Sequence, residues 1–331
     1  MAVHKRSSLK DIAEALGLSK TTVSFVLNGK ANEYHIGEET AKRVWEMAER
    51  LQYNPNFTAI SLRDGCSKIL GIVVSDISNP FFASLARLYE DEAAKLGYTV
   101  FFGSSDENAD KMQQAIRNLI ARGVDGLIVV PCQDSETFIS SLVPRGIPLV
   151  LLDRYFPHQE INYVALDNFE ATRQATTYIL GKGSKQPTIV AYDINLIHMH
   201  ERIRGYEQAM ADKGMSAQSN VIRIEPDIST ADMAYLLKES MDKGTDGFIF
   251  TTNLITLSGM YALLELGCPT NGLRLVGFDG TPAFDFFNCP ITYIKQPLEQ
   301  LVGASLTAVK AIIDKEQASS ALLRGKLIEK Y

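Results

Sequence analysis

Apolar residues recur at helical spacing through the first 53 positions of the chain, in three short runs separated by polar turn residues. The runs predict helices at about 8–16, 19–27 and 38–51, and the first two begin with serine, a good N-cap residue. Gly17 suits the turn between them because glycine tolerates a positive φ angle. The chain therefore begins with a three-helix region, residues 1–53, which we call the head.

From Lys68 the pattern changes to short apolar runs that alternate with helical stretches, as in parallel sheets covered by helices. The strands predicted for a first half are Ile69–Val74, Tyr98–Phe102, Gly126–Val130 and Pro148–Leu152. A second half restarts with Tyr163–Leu166, Thr188–Tyr192, Val221–Ile224, Gly247–Phe250 and Arg274–Gly277, and a late strand follows near 291–295. Helices are predicted near 81–96, 109–121, 135–143, 169–181, 201–213, 230–242, 254–266 and 298–314. The predicted fold class is α/β, with two lobes of about five parallel strands each.

One segment of the first half is echoed in the second. Residues 121–128 and 242–249 share a helix end, a glycine, a turn and a buried strand. Parallel sheets bind ligands beyond the carboxyl ends of their strands. Two facing lobes therefore predict a ligand site in the cleft between them.

Composition narrows the class of protein. With 331 residues, 46% of them hydrophobic and 22% charged, the chain is an ordinary globular protein of more than one domain. Its four cysteines lack paired spacing, which argues against a disulfide framework or a structural zinc site. We find no long apolar run and no leader-like start, so we expect no membrane span, no signal peptide and a cytoplasmic location.

Charge is distributed unevenly. The net charge is -6, which disfavours nucleic acid as a partner of the whole surface. Residues 1–63, however, hold nine Lys/Arg against seven Asp/Glu, whereas the remaining residues hold 24 against 32. A mildly basic region joined to an acidic one is compatible with a polyanion bound at one end only.

The second predicted helix has two distinct faces. Val23 and Val26 belong to an apolar inner face, and the outer face carries short polar side chains. The polar residues of that outer face are Lys20, Thr21, Thr22 and Ser24. A helix of this kind, entered through a short turn, can present side chains to base edges in the major groove of DNA. The alternative is a small helical cap with no role in DNA binding.

The residue identities in the head are more specific than the spacing of its apolar positions. Residues 8–29 closely resemble the head of the LacI/GalR family of bacterial repressors, and the resemblance extends over essentially the whole chain. It continues through Tyr53-Asn54-Pro55-Asn56, Asp76-Ile77-Ser78-Asn79-Pro80-Phe81-Phe82, Leu152-Asp153-Arg154, Arg202-Ile203-Arg204-Gly205-Tyr206 and Val276-Gly277-Phe278-Asp279. Residues 25–31 are similar to the branch that contains the fructose and sucrose-operon repressors.

The resemblance implies roles for individual residues of the head. Lys20 and Thr21 would read bases, and Thr22, Ser24 and Asn28 would lie nearer the phosphates. Phe25 stands where an arginine is common, and it can pack only on a thymine methyl group or a sugar. With the capping Ser19, these residues are the predicted DNA contacts of the head.

The resemblance also implies a hinge helix at 54–63. A helix this short is unstable by itself in water. Leu62 would insert into the minor groove, with Ala59 beside it, and such a wedge bends the duplex. The alternative for Leu62 is a buried leucine in the body. The implied domains are the head (1–53), the hinge and linker (54–66), the body (67–331), an N-lobe (about 67–155 and 296–322) and a C-lobe (about 156–291 and 323–331).

Polar side chains at predicted strand ends suit a ligand with many hydroxyl groups. Carboxylates accept hydrogen bonds from sugar hydroxyls, arginines donate them, and an aromatic ring can stack on a sugar face. The residues that offer this chemistry are Asp153, Arg154, Arg202, Asn253, Asp279 and Phe81. The family resemblance adds Asn79 and Gln296 to the predicted effector pocket. Each of them has a structural alternative, as a helix cap or a surface ion pair.

Catalytic motifs are missing from the sequence. We find no phosphate-binding loop, no dinucleotide fingerprint and no nucleophile elbow. The one metal-like cluster is His198-Met199-His200-Glu201, which we place before a helix and do not expect to bind metal. We therefore predict neither an enzyme nor a cofactor.

Together these observations predict a homodimeric transcriptional regulator of sugar metabolism, most simply a repressor. Its predicted partners are a near-palindromic DNA operator and a sugar or sugar phosphate bound between the lobes, with no membrane. The effector would act by shifting populations, so it must bind two states unequally. Two alternatives stay open, a stand-alone sugar-binding protein and a sugar-phosphate enzyme with the same two-lobed body.

Overall fold

The computed structural model describes residues 7–53, 65–267, 272–287 and 291–330. The chain divides into two compact units, Met1–Ser67 and Lys68–Tyr331, which contain the head and the body. The predicted hinge helix lies outside the described residues, and so do Ala59 and Leu62. In the described part of the chain, no helix is both long and apolar enough to cross a lipid bilayer.

Three helices form the head, as predicted: α1 (Leu9–Leu16), α2 (Lys20–Leu27) and α3 (Glu38–Arg50). Ser8 begins α1 with a capping box, in which its backbone N–H donates to the Asp11 carboxylate at 2.7 Å. Gly17 ends α1 with φ at 65°, a left-handed conformation that favours glycine. The three helices enclose one small core of buried side chains, formed by Ile12, Ala13, Val23, Val26, Val44 and Ala48.

The body alternates strands and helices. Its strands are β1 (Ile69–Val74), β2 (Thr99–Ser104), β3 (Gly126–Val129), β4 (Leu149–Leu152), β5 (Tyr163–Leu166), β6 (Pro187–Tyr192), β7 (Asn220–Ile224), β8 (Gly247–Phe250), β9 (Arg274–Phe278), β10 (Thr292–Lys295), β11 (Ala321–Leu323) and β12 (Lys326–Ile328). Its helices are α4 (Pro80–Lys95), α5 (Ala109–Ala121), α6 (Glu136–Ser140), α7 (Asn168–Gly181), α8 (Ile197–Asp212), α9 (Thr230–Asp242), α10 (Asn253–Glu265) and α11 (Leu298–Ile313). Three 3₁₀ turns, at Val143–Arg145, Ser216–Gln218 and Pro282–Phe286, complete the described elements.

Two six-stranded sheets define the lobes. The N-lobe sheet has the order β11-β5-β4-β3-β1-β2, and all of its neighbouring strands are parallel. The C-lobe sheet has the order β12-β10-β9-β8-β6-β7, and only β12 is antiparallel to its neighbour. The prediction of an α/β body with two parallel sheets is confirmed.

The boundary between the lobes differs from the prediction at one strand. The prediction that β5 begins the second half is wrong, because β5 pairs with β4 in the N-lobe sheet. The predicted N-lobe end near 155 therefore moves beyond residue 166. Two short edge strands, β11 and β12, were not predicted, and they raise each sheet to six strands.

The chain passes between the lobes three times, after β5, after β10 and after β11. Helix α11 returns to the N-lobe and supplies buried leucine and valine side chains to its main core, including Leu301, Val302 and Leu306. In the C-lobe, α7 and α8 approach closely at Gly205. A Cβ atom there would lie 2.2 Å from the Phe169 carbonyl oxygen, so only glycine fits between the two helices.

Candidate functional site

The first turn of α2 presents exposed polar side chains on the surface of the head. Lys20 and Thr21 are exposed, whereas Val23 on the opposite face is buried. Ser19 caps the helix, and its Oγ accepts a hydrogen bond from the Thr22 N–H at 3.0 Å. The cap orders the backbone of this turn, so Lys20 and Thr21 project from a defined position.

Further along α2, side chains are held by their neighbours. Asn28 Nδ2 donates to the Ser24 carbonyl at 2.6 Å and to Ser24 Oγ at 3.2 Å. Phe25 stacks face to face on Tyr34, with ring centroids 3.6 Å apart. One face of the Phe25 ring is therefore covered by a residue that sequence reasoning missed. Tyr34 lies nine positions away in a loop, and no short-range periodicity signals the pairing.

A cleft of about 680 Å³ opens between the two lobes of the body. It lies beyond the carboxyl ends of strands from both sheets, where parallel sheets place their ligands. Its N-lobe wall includes Ser75, Asn79 and Arg154, and its C-lobe wall includes Tyr192 and His198. Of the eight predicted effector residues, Asn79 and Arg154 line this cleft, and the other six are not among its lining residues.

Arg154 follows β4 and forms a bidentate ion pair with a carboxylate. Its Nη1 and Nη2 donate to the two oxygens of Glu107, each at 2.7 Å, and Nη1 also donates to the Pro131 carbonyl at 3.0 Å. Its Nε lies 3.6 Å from Asp153 Oδ2. Burial raises the pKa of Asp153, and Arg154 and Arg202 oppose the shift. Two predicted residues, Asp153 and Arg154, therefore form one buried ionic group.

Arg202 belongs to the second turn of α8 and is 2% exposed. Its Nε donates to Asn168 Oδ1 at 2.8 Å, and its Nη1 donates to the Thr251 carbonyl. The guanidinium carbon lies 4.1 Å from the centroid of the Phe278 ring. This arginine therefore joins α7, β8 and β9 inside the C-lobe.

Asp279 and Gln296 follow β9 and β10, two neighbouring strands. Gln296 Nε2 donates to Asp279 Oδ2 at 3.0 Å. Burial raises the pKa of Asp279 to about 6, and Arg202 and Gln296 oppose this shift. Asp153 and Asp279 both take a positive φ, 64° and 54°, immediately after their strands. The two lobes therefore end corresponding strands with an aspartate in the same left-handed backbone conformation.

A hydrogen bond between two asparagine side chains links the lobes across the cleft. Asn253 Nδ2, at the start of α10, donates to Asn79 Oδ1 at 2.9 Å. Asn79 Oδ1 also accepts from the Phe81 N–H at 3.0 Å, since Asn79 is the N-cap of α4. The two lobes are therefore joined at this point by a direct contact between side chains.

Phe81 departs from the expectation that it stacks on a ligand. It does not line the cleft and is 8% exposed in the main N-lobe core, where it packs edge-on against Phe82, which is 4% exposed in the same core. The aromatic residue of this turn that lines the cleft is Phe82. The two side chains differ by one position on a helix, so a shift of about 100° decides which of them faces the cleft.

The structure also corrects the predicted secondary structure at His198. The prediction that residues 198–201 precede a helix is wrong, because α8 begins at Ile197. His198 is one helical turn before Arg202 and lines the cleft. Within the described residues, no cluster of three or more His, Cys, Asp or Glu side chains is arranged to hold a metal ion.

Sequence reasoning missed both His198 and Glu107 as cleft residues. The four-residue spacing from His198 to Arg202 would have signalled the first, had the helix been predicted to start four residues earlier. Glu107 follows β2 by three residues, so the strand-end rule that found Asp153 applied to it as well. Its partnership with Arg154 is a long-range contact that no local pattern contains.

Two family profiles match the chain. Residues 67–324 match the periplasmic binding proteins and sugar binding domain of the LacI family, and residues 8–56 match the bacterial regulatory proteins of the lacI family. The first match alone covers more than half of the chain, and the two together include the head and both lobes.

Individual relatives are similar over nearly the full length. Catabolite control protein A of Priestia megaterium is 27% identical, over 96% of this chain and 96% of that protein. The transcriptional repressor PurR of Aliivibrio fischeri (strain MJ11) is 29% identical, over 93% of this chain and 91% of its own. The lac repressor dimer, solved with operator and an anti-inducer, matches with a TM-score of 0.85 at 22% identity, over 98% of each chain. That structural match shows a shared fold.

Proposed function

The chain belongs to the LacI family of bacterial regulatory proteins, and we propose that it represses genes of sugar metabolism under the control of a sugar or sugar phosphate. It is a DNA-binding transcriptional regulator with a ligand-binding domain. The observation that carries the proposal is the combination, in one chain, of a helix-turn-helix head and a cleft lined by polar strand-end residues.

We assign operator contact to the exposed face of α2. Lys20 and Thr21, exposed and oriented by the Ser19 cap, are the proposed base-reading residues. Thr22, Ser24 and Asn28 are the proposed phosphate contacts, with Phe25 packing on a thymine methyl group or a sugar. Ala59 and Leu62 remain predictions, because they lie outside the described residues.

The proposed effector site is the cleft between the lobes. Asn79 and Arg154 line it, and the buried Asp153 and Arg202 form a charged group with the partly buried Asp279 at the same strand ends. The proposed contribution of that group is to hold the strand ends in place rather than to touch the ligand. Because the Asn79–Asn253 hydrogen bond crosses the cleft, a bound ligand would change the relative free energy of two lobe arrangements.

A second copy of the chain is the proposed partner of an apolar surface on the C-lobe. Tyr261 and Leu264 on α10 are 56% and 57% exposed, and Phe286 in the following 3₁₀ turn is 88% exposed. Exposed aromatic and leucine side chains this close in the fold are typical of protein interfaces. Two identical heads held together would match a near-palindromic operator. The proposed function includes no catalysis and places the protein in the cytoplasm.

Selection from a random duplex DNA library tests the proposal on the full-length chain. We expect one near-palindromic sequence to be enriched, and fluorescence anisotropy then gives its affinity at one fixed salt concentration. Thr21→Ala should weaken binding to this sequence by roughly 5- to 150-fold, the range of one base contact. Lys10→Ala is the matched control, because Lys10 is an exposed cation of α1 paired with Glu14. If no sequence is enriched, the proposal is wrong.

A further inference from the structure

We infer that the cleft binds an uncharged polyhydroxyl ligand and discriminates against its phosphate esters, with Glu107 as the residue that sets this charge selection. The inference rests on the proposed function, because it takes the cleft to be the effector site. It narrows the effector from a sugar or sugar phosphate to an uncharged sugar. The evidence is the state of the polar groups that face the cleft.

Three cleft-lining residues hold a buried polar atom with no hydrogen-bond partner among the described residues. The atoms are Ser75 Oγ, His198 Nδ1 and Arg154 Nε, which makes no hydrogen bond but lies 3.6 Å from Asp153 Oδ2 in an ion pair. Each residue is at least nine-tenths buried, with Ser75 at 1%, Arg154 at 6% and His198 at 5% exposure. Unpaired buried polar atoms are rare in proteins and costly, so a concentration of them in one cleft marks a place where a ligand supplies the partners.

The chemistry of these atoms suits hydroxyl groups. A serine hydroxyl both donates and accepts hydrogen bonds, and the arginine Nε donates them. A neutral imidazole donates at one nitrogen and accepts at the other. Burial holds the pKa of His198 well below its usual value, and Arg154 and Arg202 lower it further. His198 is therefore uncharged near neutral pH and contributes no positive charge to the cleft.

The guanidinium groups that a phosphate needs are already occupied. Both terminal nitrogens of Arg154 are engaged by Glu107 in a bidentate pair, the geometry in which an arginine would otherwise hold a phosphate. Arg202 is enclosed by Asn168 and Thr251 and is absent from the cleft lining. A phosphate ester would have to displace Glu107 from Arg154 to gain an arginine contact.

The remaining lining is acidic. Carboxylates outnumber guanidinium groups six to one around the cleft, and within its described lining there is no lysine. The carboxylates belong to Asp76, Glu107, Asp110, Asp134, Asp193 and Glu225. A dianionic phosphate is repelled by such a lining, whereas an uncharged sugar can donate its hydroxyl protons to the same carboxylates.

Calorimetry of the full-length chain with matched pairs of ligands tests the inference. The probes are fructose, sucrose and ribose, each beside fructose 1-phosphate, sucrose 6-phosphate and ribose 5-phosphate. We expect at least one uncharged sugar to bind and its phosphate ester to bind at least about tenfold more weakly. Tighter binding of any phosphate ester, or heat from no uncharged sugar, would overturn the inference.

A substitution of Glu107 tests its role in charge selection. Glu107→Gln should reduce the preference for the uncharged sugar, measured as the ratio of the two dissociation constants, by roughly tenfold, because it releases Arg154. The matched control is Glu170→Gln, which removes another bidentate Arg–Glu pair, with Arg173 on α7, and should leave the ratio unchanged. An unchanged ratio in Glu107→Gln contradicts the assignment of Glu107.

His198→Leu should weaken binding of the uncharged sugar by about tenfold or more, and His198→Gln, which keeps a hydrogen-bonding group, should restore part of the loss. Equal losses in both variants would contradict the role of His198. Operator affinity is measured on the same preparations. If operator binding is intact while sugar selectivity fails, only the inference falls, whereas absence of operator binding defeats the proposed function itself.

Discussion

The head and the body differ in the exposure of the polar side chains that are proposed to be functional. In the head, Lys20 and Thr21, which are proposed to read bases, are exposed, and a separate small core keeps the helices together. In the body, Asp153, Arg154 and Arg202 are buried and bonded to several elements at once. Recognition and stability are therefore separable in the head, whereas in the body Arg154 both lines the proposed ligand site and belongs to the buried ionic group.

This difference between the head and the body can be measured as operator affinity and as the free energy of unfolding. A substitution at a recognition residue of the head should change operator affinity with little effect on unfolding. A substitution in the buried ionic group of the body should lower the free energy of unfolding before any effect on the ligand is seen. Three experiments test this difference, and they are taken in order of decreasing effect.

Arg202→Met should give the largest effect. Removing this buried cation leaves Asn168 Oδ1 and the Thr251 carbonyl without their donor and Asp279 without a nearby positive charge, which costs about 4 kcal/mol of body stability. Urea unfolding monitored by circular dichroism measures the loss. Arg204→Met is the control, because Arg204 is two positions away on α8 and is itself 63% exposed, where it pairs with Glu201 and lies over the Phe169 ring. Equal stability of the two variants would remove the contrast between head and body.

Ile12→Ala should destabilise the head by about 3 kcal/mol, since Ile12 is fully buried in a core of only six such residues. We expect weak operator binding and a lowered first thermal transition, with the transition of the body unchanged. Glu14→Ala, on the exposed face of the same helix, is the control. If the body transition falls together with that of the head, the two units do not unfold independently.

The pH dependence of the body should give the smallest effect. Burial raises the pKa of Asp279 from 3.8 to about 6, so the native state binds this proton more tightly than the unfolded state does. The resulting stabilisation is present below the unfolded pKa and is lost as the pH rises through about 6. Relative to Asp279→Asn, the unmodified chain should gain about 1.4 kcal/mol between pH 7.5 and pH 5. Parallel unfolding curves for both chains at the two pH values would contradict the assigned pKa.

Much of the fold is encoded in local patterns. The helices of the head were predicted closely because each begins or ends at a residue with a specific local role, such as the Ser8 capping box and Gly17. Most strands of the body were found because four to six consecutive apolar residues have no other common explanation in a chain of this class. The start of α8 was misplaced because Leu196 provides no side-chain cap to mark it.

The assignment of strands to lobes required information that local patterns lack. β5 looks like any other buried strand, and only its pairing with β4 and β11 identifies its sheet. β11 and β12 are three residues long, too short for a periodicity to appear. Membership of a sheet is set by contacts between distant parts of the chain.

The candidate cleft was predicted in place but not in detail. The strand-end rule found Asp153, Arg154 and Asp279, because the backbone direction of a parallel sheet is fixed by the sequence order. It could not show that Glu107 occupies Arg154 or that Phe82, rather than Phe81, faces the cleft. Those facts depend on side-chain partners about 50 residues apart and on the rotation of one helix.

The three passages of the chain between the lobes have a consequence for its synthesis. The N-lobe receives α11 and its edge strand β11 only after the C-lobe has been almost entirely translated, and the C-lobe receives β12 last. A polypeptide emerging from the ribosome can complete its head within the first 53 residues, but neither six-stranded sheet is complete until its edge strand, Ala321–Leu323 or Lys326–Ile328, has been synthesised. A premature stop codon before α11 would therefore release a finished head attached to an unfinished N-lobe.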